Sequence, residues 1–141
     1  MATLAWSDEF ATHIFEIDVQ HKKLFKMVNE LETAMQEGKG KQILGRLLAD
    51  LVHYTQSHFK TEEAFMEQYT YPEHAEHKDK HDRMTRKVVE VQKAFQSGQT
   101  HITIDVMRFL QNWLTEHILK TDLKFGRFLS SQETPGKAQA A

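Results

Sequence analysis

The chain has 141 residues, 27% charged and 40% hydrophobic, which fits one globular domain and not two. Eighteen basic residues against twenty acidic ones leave a net charge of −2 with histidines neutral, and no basic block stands out, so nucleic acid and anionic membranes are not expected partners. Cysteine is absent, which excludes disulfides, thiolate metal sites, iron–sulfur clusters and cysteine catalysis.

Met1 to Trp6 lacks a basic start followed by an apolar stretch, so no signal peptide is expected. Trp6, Phe10, Ile14 and Phe15 belong to an N-terminal arm that can pack across whatever follows. A first helix is predicted from about Asp18, read as its N-cap, to Glu37, with Leu24, Phe25, Val28, Leu31 and Met35 at helical spacing. Gly38 and Gly40 mark the gap to a second helix, from about Lys41 to Tyr69, with the stripe Leu44, Leu47, Leu48, Leu51, Phe59, Phe65 and Met66. A third starts just after Pro72 and carries Met84, Val88, Val91 and Phe95; Gly98 ends it. A fourth runs from about Ile102 to Thr121 with Val106, Phe109, Leu110, Trp113, Leu114 and Ile118. No apolar run approaches the about 18 residues that span a bilayer. The expectation is an all-α, up-down-up-down four-helix bundle over 1–130, with the N-terminal arm, a short C-terminal helix from Leu123 to Leu129 and a disordered tail over 131–141. A soluble, cytoplasmic monomer is expected.

Nine histidines are the unusual count. The stripe of helix one extends backwards to His21, and that of helix two runs on to His58 and Glu62, which are i,i+4 neighbours. His77 and His81 precede Met84 on the stripe of helix three, and helix four leads to His117, with Asp122 five residues later. In an up-down-up-down bundle the start of helices one and three and the end of helices two and four are the same end of the molecule. These groups therefore fall in one layer. Singly, each has an ordinary explanation: a hydrogen-bonded core histidine or a solvated surface pair. Together, five imidazoles and two carboxylates buried at one level are costly without a cation to coordinate them. The set exceeds what one tetrahedral zinc accepts, so two metals bridged by the carboxylates are expected; the ligand chemistry leaves Fe, Zn, Cu and Ni open. His13, His53, His74 and His101 are given no site role, with His74 expected at the rim.

Four pieces in order, Asp18-x-x-His21-Lys-x-Leu-Phe, His58-Phe-x-x-Glu62-Glu63, His77-x-x-x-His81 and His117-x-x-x-x-Asp122, resemble the hemerythrin family, specifically its single-domain bacterial members, from about Trp6 to Phe128. The resemblance implies a non-haem di-iron centre: one iron on His77, His81 and His117, the other on His21 and His58, bridged by Glu62, Asp122 and an oxo or hydroxo group. That set leaves one coordination position open, on the iron with two histidines. Reversible O₂ binding there is the implied function, for storage, delivery or sensing, with an unidentified protein as acceptor of O₂. The family's apolar pocket positions match Trp113, Leu114 and Ile118, with Phe59 and Phe25 completing the wall. No enzymatic activity is expected. The alternative is a di-iron oxidase, peroxidase or nitric-oxide-handling enzyme on the same scaffold. Ferritin-like oxidases use Glu-x-x-His on two helices, and this chain contains no Glu-x-x-His.

Overall fold

The structure is a computed structural model that describes residues 4–98 and 103–132. A 3-10 turn, Asp8–Phe10, precedes α1 (Phe15–Gln36), α2 (Lys41–Gln68), α3 (His74–Gln96) and α4 (Ile104–His117); a π-helical turn over Ile118–Asp122 then leads into α5 (Leu123–Gln132). The four long helices form the expected up-down-up-down bundle, with no strand among the described residues. None of the described helices is long and apolar enough to cross a membrane.

The apolar stripes meet as the periodicity requires. Leu24, Val28 and Leu31 of α1, Leu48, Leu51 and Phe59 of α2, Met84, Val88 and Phe95 of α3, and Met107, Leu110 and Leu114 of α4 form the main core. A second, smaller core gathers Ile17, Met66, Tyr71, Phe125 and Leu129. Ile17 lies one turn before His21, Met66 one turn after Glu62, and Phe125 one turn after Asp122, so the ionisable layer sits between two apolar plugs. α5 thus closes the end of the bundle that carries the polar groups.

Three boundaries differ from the sequence reading. α1 begins at Phe15, with Ile14 in the N-cap position and no side chain capping it. Asp18 is one turn inside the helix, and its carboxylate instead accepts from Thr12 N (2.9 Å), Thr12 Oγ1 (2.7 Å) and His13 N (3.1 Å). A cap must precede the first helical turn; this Asp fastens the arm to α1. The α-helical geometry of α4 stops at His117, not Thr121, because the π turn intervenes. Thr103 caps α4, its Oγ1 accepting from Val106 N at 3.2 Å. The expected start at Ile102, His101, and residues 133–141 of the expected tail lie outside the described residues. α5 extends past the expected boundary, to Gln132.

Candidate metal centre

The π turn shapes the site first. In an α-helix, residues five apart point to different faces, whereas a turn with i→i+5 bonding brings them round to the same one. The turn over Ile118–Asp122 thereby points Asp122 at the same interior layer as His117. On α2 the ordinary i,i+4 spacing sets His58 beside Glu62. His77 and His81, one turn apart on α3, and His21 on α1 complete the layer. Every one of these seven groups is buried; Glu62 and His21 are 0% exposed.

The carboxylate oxygens divide the imidazoles between them. Glu62 Oε2 lies 3.2 Å from both His21 Nε2 and His58 Nε2, while Oε1 lies 3.0 Å from His81 Nε2 and 3.5 Å from His77 Nε2. Asp122 repeats the arrangement: Oδ2 is 3.0 Å from His21 Nε2, and Oδ1 is 3.0 Å from His77 Nε2 and 3.1 Å from His117 Nε2. The ligand atoms therefore form two groups, Glu62–His77–His81–His117–Asp122 and His21–His58–Glu62–Asp122, each within 4.8 Å and sharing both carboxylates.

Several contacts fit a cation at the centre of the layer. His81 Nε2 and His117 Nε2 face each other at 3.1 Å. Glu62 Oε1, His77 Nε2 and both Asp122 oxygens are buried without a hydrogen-bond partner despite their short contacts. Buried polar atoms left in this state are costly. Imidazole nitrogen and carboxylate oxygen without thiolate are a donor set that suits iron, and the residues fit a non-haem di-iron site.

Without metal, the charges must neutralise one another. Burial pushes the Glu62 carboxyl up, but the charge of His58 and close pairing with His21, His58 and His77 outweigh it and hold it well below the ordinary carboxylate range. Burial and the neighbouring Glu62 oppose ionisation of Asp122, yet His117 and His21 hold that carboxyl well below its ordinary value too. Burial acts to lower His21 and His77, but pairing with Asp122 and Glu62 raises them to about 10 and about 9. For His117 burial prevails, and its value is lowered.

Two outer partners escaped the sequence reading. His58 Nδ1 lies 2.7 Å from Gln20 Oε1, and His81 Nδ1 lies 2.9 Å from Glu63 Oε2. Each fixes the tautomer that leaves Nε2 facing the cluster. Glu63 stands in the motif beside Glu62, whereas Gln20 has no signal beyond being next to His21. His13 and His53 lie outside the cluster, as does His74, which is half-buried.

Next to this layer is a small internal cavity of about 30 Å³, walled almost wholly by apolar side chains, which include Leu24, Leu51, Met84, Phe59, Trp113 and Leu114. Its wall also reaches His21, His58, His117 and Asp122. Phe59 stacks on His81 (3.9 Å, 5°) and Trp113 on His117 (4.4 Å, 12°). Two expected wall residues stand elsewhere. Phe25 packs on Phe10 and Trp6 of the arm, at 5.1 and 5.7 Å, and Ile118 is fully buried in the main core without lining the cavity.

A four-helix bundle with such a layer, two imidazole groups joined by two carboxylates, defines a helical metal-binding protein of the histidine-rich, non-haem kind. The family model described as the hemerythrin HHE cation-binding domain matches residues 12–129, and the chain belongs to the hemerythrin family. It is 37% identical over 132 residues to a bacteriohemerythrin of Methylococcus capsulatus, covering 93% of this chain and 100% of that protein. It is 38% identical over 122 residues to a bacteriohemerythrin of Pseudomonas aeruginosa, covering 86% of this chain and 78% of that one. A crystal structure of wild-type hemerythrin, 37% identical, superposes with a TM-score of 0.85 over 92% of this chain and 99% of that one.

Proposed function

We propose that the chain binds O₂ reversibly at a di-iron centre, with His77, His81 and His117 holding one iron, His21 and His58 the other, and Glu62, Asp122 and an oxo or hydroxo group bridging them. The observation that carries this reading is the division of each carboxylate's two oxygens between the two imidazole groups. When bound, the pair of irons supplies the two electrons that reversible O₂ binding requires. The chain supplies the rest. Gln20 and Glu63 orient His58 and His81. Phe59, Trp113 and Leu114 keep the adjoining cavity apolar, which favours O₂ over water and anions. About 10–15 Å³ suffices for a water molecule, so a cavity of about 30 Å³ admits only a small guest.

The cavity also supports a carrier over a catalyst. Among the described residues, Thr55 is the one polar side chain in its wall apart from the ligand residues, and its Oγ1 donates to Leu51 O at 2.7 Å. Among the described residues, no acid or base beyond the ligand residues lines the cavity. The test is an O₂ titration of the anaerobically reduced, iron-loaded protein, followed by visible absorption. A coloured species that forms with O₂ and disappears on deoxygenation is expected. Irreversible oxidation in one exposure would favour the enzyme reading, and the lack of any iron-dependent spectrum would overturn the di-iron assignment.

A further inference from the structure

A surface groove of about 420 Å³ opens between α3 and α4. Its walls carry Lys80, Arg83 and Lys87 from α3 and Lys120 from the π turn, with Glu116 as the one acidic wall residue among the described residues. Positions 80, 83 and 87 share one helix face, so residues dispersed in the sequence become a cationic ridge. Arg83 meets Asp79 at 3.0 Å and Lys120 meets Glu116 at 3.7 Å, both in exposed pairs, which hold weakly. Lys80 donates to the Thr121 hydroxyl at 3.2 Å, and Lys87 lies 5.9 Å from the Phe109 ring. Neither of those lysines meets a carboxylate among the described residues. Like charges around a concave, low-dielectric floor focus a positive potential into it.

The floor is apolar and aromatic: Met84, Phe109 and Trp113, with His117 behind them. An aromatic floor under a cationic rim matches a ligand with a ring at one end and phosphate at the other, and Arg and Lys are suited to phosphate. The volume is in the range of small-molecule sites, about 300–1,000 Å³, and the concavity suits such a ligand better than a macromolecular surface. We propose that this groove binds a small phosphorylated ring compound of nucleotide size, its phosphate on the Lys80–Arg83–Lys87 ridge and Lys120, its ring on Phe109 and Trp113.

Trp113 gives the groove a route to the interior. Its ring stacks on His117, and Met84, Trp113 and His117 line both the groove and the internal cavity. A ligand lying on Trp113 therefore presses on the partition between solvent and the ligand layer, and acts as an effector of that site. This second step rests on the O₂ reading, and linkage makes it reciprocal: whatever factor the effector applies to O₂ affinity, O₂ applies to the effector's.

The experiment is isothermal titration calorimetry of the iron-loaded full chain at low ionic strength, with adenosine monophosphate, adenosine and inorganic phosphate as probes. Saturable binding of the monophosphate is expected, with adenosine and phosphate each at least about tenfold weaker. The double substitution Lys80→Ala/Lys87→Ala should weaken the monophosphate about tenfold without altering helicity or iron content. Phe109→Ala should weaken it while leaving inorganic phosphate unchanged. No heat with the monophosphate, equal affinity for adenosine, or indifference to the lysine pair would each overturn the site. The O₂ affinity of the loaded protein is then measured with and without saturating monophosphate. No shift alongside intact calorimetric binding would overturn the effector role alone. Absent O₂ binding alongside intact calorimetry would strike the O₂ reading and leave the groove standing.

Discussion

Glu62 and Asp122 each face both groups of imidazoles, so truncating either removes a ligand from two places at once. It also removes one of the two carboxylates that His21 and His77 both face. Glu62→Ala and Asp122→Ala are each expected to lower bound iron, read by elemental analysis of purified protein; two irons retained in both variants would contradict the bridging assignment. Leu114 acts through shape instead. It is buried, sits in the cavity wall and belongs to the main core. Leu114→Ala enlarges the cavity and admits water and anions to the ligand layer. Autoxidation of the oxygenated protein should be faster, alongside a stability loss of about 2–5 kcal/mol. An unchanged autoxidation rate with that stability loss present would show that Leu114 serves packing alone.

The arm and α5 set how the metal end is closed. Gly126 faces the arm so closely that a Cβ there would stand 2.6 Å from Thr12 O and 3.1 Å from Thr12 Cα. Backbone atoms cannot swing aside as a side-chain tip can, so Gly126→Ala should lower stability by about 1–3 kcal/mol. Thermal unfolding checks it, and an unchanged midpoint would mean that the arm does not seat against α5 in solution. Asp18 fastens the same arm from the other side through Thr12 and His13. Residue type alone suggested that Asp18 caps α1, because a carboxylate ahead of an apolar run looks the same whether it serves the helix or a neighbouring loop. The four long helices were legible because their apolar stripes keep a 3.6-residue period, and the ligand layer because His21, His58, Glu62, His77, His81 and His117 extend those stripes. The His117–Asp122 spacing breaks that period, and only the π turn reconciles it. Gln20 has no periodic signature either, since it bonds to His58 on a different helix. Phe25 keeps the right spacing for a cavity wall and still faces the arm, because period fixes a face of the helix and not which neighbour fills it.

At the scale of the whole molecule, metal and protons compete for one buried layer between two apolar plugs. In the metal-free protein His21 and His77 have values raised from 6.5 to about 10 and about 9, so their stabilising pairing is complete below 6.5 and fades as the pH rises through that interval. Glu62 and Asp122 are depressed, so their contribution is complete above their ordinary 4.5 and 3.8 and is lost as the pH falls below them. The metal-free fold is therefore held best by these groups at mildly acid pH and weakens toward alkaline pH. Coordination reverses the dependence, because a metal takes the neutral imidazole and must expel its proton. Loading at neutral pH should acidify a weakly buffered solution, read with an indicator dye. The gap in unfolding temperature between loaded and metal-free protein should widen from about pH 6 to about pH 9. A constant gap without proton release would mean that His21 and His77 are already neutral before the metal arrives, and that the two carboxylates are balanced by some other charge.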